Sequence, residues 1–194
     1  MTDFLIISII TLIPLVIIMI PLYLASSRQT ALTSKIIGFV LLAGLTFLGF
    51  KIMEMGTLTP SQRLSNGNPM ILFIPVTIIC ALALFYALIA ASYRRFISRQ
   101  NLATSLVIIL SALLIDIYIG LELKSHIDSI LVELGGGTNT PASLIHNKVW
   151  FNAYTYSAFF NLYSFLLLIL SGVQLGVLIP FLTRLLVKKE RTQS

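Results

Sequence analysis

The chain has 194 residues, of which 57% are hydrophobic and 10% charged, with a formal net charge of +6 and a mean hydropathy of +0.97. Water-soluble domains run at about 45–50% apolar and about 25% charged residues. The composition therefore excludes a disordered chain, a coiled coil and an ordinary soluble enzyme, and describes an all-α integral membrane protein whose loops leave no room for a separate soluble domain.

A transmembrane helix needs about 20 consecutive apolar residues, and five blocks meet or approach that length, at 4–24, 36–53, 70–93, 102–121 and 160–183. The first, Phe4 to Leu24, has no preceding Lys or Arg, exceeds a signal-peptide apolar region, and ends in poor cleavage chemistry at Leu24-Ala25-Ser26-Ser27, so it is read as a retained span. Pro14 and Pro21 share a face and kink it. The second block, Ile36 to Met53, is the shortest and carries Gly38, Gly44 and Gly49. The third, Met70 to Tyr93, follows the turn-forming run Ser65-Asn66-Gly67-Asn68-Pro69 and repeats Ala83, Ala87 and Ala91 at intervals of four, a spacing that lets helices approach closely.

The fourth block, Leu102 to Leu121, is followed by the longest loop, 122–150. Within it Ile127, Ile130, Leu131 and Leu134 keep helical spacing until Gly135-Gly136-Gly137 stops the pattern. This segment is either an extension of the fourth span or a short helix lying on the membrane surface. The fifth span is centred on Tyr163 to Leu182, with Pro180 near its end. The cluster Trp150, Phe151, Tyr154, Tyr156, Phe159, Phe160 and Tyr163 reads as an aromatic belt leading into it.

Sorting the cations by loop gives an orientation. With five spans, Arg28, Lys35, Arg94, Arg95, Arg99, Arg184, Lys188, Lys189 and Arg191 share one side, against Lys51, Arg63, Lys124 and Lys148 on the other. The positive-inside rule then places the N-terminus outside and the C-terminus in the cytoplasm, in a plasma or inner membrane. The basic residues are those of cytoplasmic loops, so the expected surroundings are lipid bilayer, membrane-protein partners or further copies of the chain, and not nucleic acid. The single cysteine, Cys80, lies in an apolar block; it can form neither an internal disulfide nor a multi-cysteine metal site and reads as a small core residue.

Three polar residues within the spans are candidates for function. Asp116 is the acid well inside one, at a cost of about 2.5–3.5 kcal/mol on insertion scales, so it must face other helices. It shares a stripe with Ser105, Ala112 and Gly120, and at 1.5 Å per residue it lies about 20 Å along its helix, in the outer half. Two roles suit it: a proton, cation or amine site, or a hydrogen-bonded lock between helices. Asn161, also toward the outer side, is its expected partner. Gln174, in the middle of Gly172-Val173-Gln174-Leu175-Gly176, reads as an interhelical hydrogen-bonding residue on a GxxxG segment.

The outer loop adds His126, Asp128, Glu133 and His146. Their spacing matches no metal-ligand pattern, so no metal is assigned, and both histidines are read as loop residues outside the spans. That excludes a bis-histidine haem within the bundle, and no cofactor is expected. No His or Lys well inside a span is available to activate a serine, and no G-x-S-x-G, H-E-x-x-H or Walker-type loop is present, so no catalytic residue is assigned. The leading expectation is a non-catalytic membrane subunit or scaffold acting through helix–helix contacts. A small oligomeric transporter or channel-like protein using Asp116 comes second, and an enzyme acting on lipid or quinone at the outer interface third.

Overall fold

The computed structural model describes residues 32–62, 72–99 and 102–193. It contains α1 (Leu32–Met55), α2 (Phe73–Arg99), α3 (Leu102–Glu133), the single turn α4 (Tyr156–Phe159) and α5 (Leu162–Gln193), and no strand among the described residues. Among the described residues, four helical segments are long and apolar enough to cross a membrane: Leu32–Met55, Phe73–Ile97, Leu102–Glu133 and Tyr156–Leu186. The all-helical class is as expected, and the four such helices among the described residues correspond to the second to fifth predicted spans. The predicted first span, 4–24, and the Ser65–Pro69 turn lie outside the described residues.

Each helix outruns the apolar block that announces it. The largest gain is at α3, which continues from the fourth block through Glu133. The choice left open for Ile127–Leu134 is therefore settled as an extension of the fourth helix. Its end is built by glycine. The Gly136 N–H donates to the Leu131 carbonyl at 2.8 Å and the Gly135 N–H to Val132 at 3.1 Å, the paired bonds of a Schellman cap. Gly135 and Gly136 take φ of +77° and +121°, where a side chain would be strained.

Burial follows one stripe per helix. On α1 it runs through Gly38, Leu42, Thr46, Phe50 and Met53; on α2 through Thr77, Cys80, Ala83, Leu84 and Ala87. These meet Tyr156, Phe160 and Phe165 to form the main core. Phe50 stacks edge-on against both Phe160 and Phe165, with centroids 5.3 and 5.8 Å apart, a favoured aromatic geometry. No α3 residue belongs to this core. Helix α3 packs instead along α5, through Ser105, Ala112 and Ile119 at intervals of seven. The outward flank, including Leu106, Val107, Leu110, Leu113, Leu114, Ile117 and Leu121, is exposed, as a lipid-facing surface would be.

A second, smaller core of Ile130, Leu134, Ile145 and Ala158 joins the end of α3 to the following loop and α4. The loop between them is ordered by its own polar groups. Thr155 is fully buried; its hydroxyl donates to the Trp150 carbonyl and accepts from the Asn152 N–H at 3.0 Å. The two loops at this end also meet, through the Leu58 N–H on the Ala153 carbonyl at 2.9 Å and the Ser157 N–H on Thr57 Oγ1 at 2.8 Å.

Candidate functional site

The polar contact between spans centres on Asp116. Gln174 Nε2 of α5 donates to Asp116 Oδ2 of α3. Asp116 Oδ1 is buried and has no hydrogen-bond partner among the described residues. Two expectations change here. Asp116 does not pair with Asn161, and it does not sit in the outer half of its helix. Since α3 extends to Glu133, Asp116 lies near the helix midpoint, about 21 Å from Leu102 and about 26 Å from Glu133 at 1.5 Å per residue. Gln174 has the same mid-height on α5; Asn161 is about 20 Å away along that helix.

Asn161 has another task. It is buried, and its Oδ1 accepts from the Ser164 N–H at 2.9 Å, the N-cap bond to the third residue of a helix. Its Nδ2 donates to the Ser157 carbonyl at 2.7 Å and more weakly to Ala158 at 3.3 Å. One amide thus starts α5 and ties it to α4, with its oxygen and nitrogen both used. The sequence signal was present: Asn161 immediately precedes a long apolar run, which is N-cap chemistry.

Gln174 faces α3 because of its place between two glycines. At 3.6 residues per turn, Gly172 and Gly176 share a face of α5, and Gln174, two positions on, lies about 200° around. The glycine face meets α2. A Cβ at Gly172 would stand 3.1 Å from Leu88 Cβ, and one at Gly176 only 2.5 Å from Ser92 Cβ and 2.6 Å from the Ile89 carbonyl oxygen. The GxxxG segment is a close contact here. Gly120, assigned to the packing stripe of α3, is different: nothing lies within 4 Å of a Cβ there.

The four outer residues do not converge. His126 lies within α3 rather than in a loop, with Nε2 3.3 Å from the Ser157 carbonyl oxygen and its ring 6.1 Å from that of Tyr163. Asp128 and Glu133 are exposed on the same helix. His146 follows the glycine cap, and its Nδ1 is buried without a hydrogen-bond partner among the described residues. No group of three or more His, Cys, Asp or Glu that could hold a metal ion occurs among the described residues.

A contact the sequence did not announce lies at the basic end. An Arg184 terminal nitrogen donates to the Phe96 and Ile97 carbonyls, at 2.5 and 2.8 Å. These are among the last four carbonyls of α2, which lack partners within their helix. The signal available was only that Arg184 and the end of α2 sort to the same side. The chain matches no family model, no curated protein and no solved structure.

Proposed function

We propose that the chain is a non-catalytic subunit or scaffold of a membrane complex. It would cross the bilayer five times, with the N-terminus outside and the C-terminus in the cytoplasm, in a plasma or inner membrane. The observation that carries this reading is the engagement of Asp116, the costly in-span acid, by Gln174 of the neighbouring helix. Such a bond serves as glue between helices. The architecture agrees: among the described residues α3 packs mainly against α5, with a smaller contact to α4 and the loop before it, and a long apolar flank is exposed for lipid or a protein neighbour. The scattered His126, Asp128, Glu133 and His146 give no support to an outer-interface enzyme.

One observation favours a second reading. Asp116 Oδ1 is buried without a partner among the described residues, and a membrane-embedded carboxylate with spare acceptor capacity suits a proton or cation pathway. Purification from native membrane in mild detergent, with mass spectrometry of what co-elutes, separates the two. A stoichiometric protein partner is expected. A lone chain or homo-oligomer in which Asp116→Asn abolishes flux in reconstituted vesicles, while leaving the amount of folded protein unchanged, replaces the first reading with the second.

A further inference from the structure

A cavity of about 420 Å³ opens at the basic end of the molecule, between the first two turns of α1 and the last turns of α2. Its walls carry three cations, Lys35 from α1 and Arg94 and Arg95 from α2, together with Ser92. The remaining lining is apolar: Leu32, Ile36, Phe39, Ala91 and Phe96. None of the lining residues among the described ones is acidic. We propose that this cavity binds the headgroup of an anionic phospholipid, with its phosphate on Lys35, Arg94 and Arg95 and its glycerol and upper acyl segments along Ile36 and Phe39.

The argument is one of charge and position. Two helices converge to place like charges around one space, an arrangement that raises the local potential for an anion. The Arg94 Nε–H donates to the Ala90 carbonyl at 2.9 Å, which anchors that guanidinium to its own helix at the cavity wall. The carbonyls closing α2 carry partial negative charge that would oppose a bound anion; the Arg184 bonds to Phe96 and Ile97 offset it. The apolar lining beside the cations distinguishes a lipid from a free anion, since inorganic phosphate gains nothing from Phe39 or Ile36. Basic pockets between spans on the cytoplasmic side are where anionic headgroups bind. The proposal rests on these helices crossing a membrane with this end at the cytoplasmic leaflet.

The test uses the full chain in bilayers of phosphatidylcholine mixed equally with phosphatidylglycerol, extracted in mild detergent and weighed intact by native mass spectrometry. The wild type is expected to retain phosphatidylglycerol in preference to phosphatidylcholine, and added inorganic phosphate is expected not to displace it. At about 1 kcal/mol per cation near the membrane surface, Lys35→Gln should weaken retention about fivefold, and the triple change with Arg94→Gln and Arg95→Gln about a hundredfold. Arg95→Lys keeps the charge and should retain the lipid, which guards against loss through misfolding. Lys124→Gln, at the other end, should behave as wild type. Equal retention of both lipids by the wild type overturns the proposal. So does unchanged retention in Lys35→Gln and the triple variant, or displacement by phosphate, which would make the cavity a site for the free anion. Any co-purified protein is weighed in the same spectra, so loss of the lipid and loss of the subunit reading are separate results.

Discussion

The two faces of α5 solve the same problem by opposite means. Toward α2, Gly172 and Gly176 remove side chains so that backbone meets backbone and neighbouring methylenes. Toward α3, Gln174 inserts a polar group and bonds the Asp116 carboxylate. Water cannot drive helices together inside lipid, so association depends on close packing or on hydrogen bonds. The glycine face uses shape: its strength lies in many short dispersion contacts, each small. The glutamine face uses chemistry: one directional bond that fixes the height at which α3 meets α5. It follows that volume changes should damage the first seam and polarity changes the second.

The largest effect is expected at Gly176. Its closest neighbours include the Ile89 carbonyl of the facing backbone, which cannot swing aside as the end of a side chain can. Overpacking a tight contact costs about 1–3 kcal/mol and sometimes more, so Gly176→Leu should lose about 3 kcal/mol in reversible unfolding in detergent micelles. Stability equal to wild type would mean the two helices do not touch there. Next comes Asn161→Ala, which removes the cap of α5 and its tie to α4. A loss of about 1–2 kcal/mol is expected, with no change in the bond between α3 and α5. Chemical-shift or cross-linking evidence that Asp116 moves in this variant would restore the pairing of Asn161 with Asp116.

At the polar seam the two partners should behave unequally. Gln174→Leu leaves a buried carboxylate without its donor and should destabilise the protein, whereas Asp116→Leu removes the costly acid itself and should be neutral or stabilising. The coupling from the full double-mutant cycle should be about 0.6 kcal/mol, and no more than about 1.7 kcal/mol. Strict additivity would show that the bond does not hold α3 to α5.

How much of this could be read from the sequence depends on the range of the interaction. Helical class, long apolar helices and the GxxxG contact follow from local composition and spacing. Gln174 as an interhelical donor was also legible, because an amide in mid-span must find a partner. Its identity was not. Asn161 and Gln174 were both polar, one capping α5 and the other within it, and only the length of α3 decided which stood level with Asp116. That length was hidden because Glu122, Lys124 and Asp128 end the apolar run without ending the helix; the stop signal was Gly135. The cavity at the basic end was legible as charge sorted to one side, but not as a cavity, since Lys35 and Arg94 are distant in sequence and meet only through the packing of α1 on α2.

The smallest effect expected is also the one that separates the two kinds of glycine. Gly120 and Gly176 are indistinguishable by composition, both being helical glycines in apolar blocks. A Cβ at Gly176 meets backbone, and one at Gly120 meets nothing within 4 Å. In a helix interior, alanine is favoured over glycine by about 0.8–1.0 kcal/mol. Gly120→Ala should therefore stabilise the isolated chain by up to about that amount in the same detergent unfolding measurement. A destabilised Gly120→Ala would show that the α3 flank at this level is occupied by part of the chain itself. Normal stability combined with loss of a co-purifying protein in Gly120→Leu would instead place the partner of the proposed complex against this face of α3.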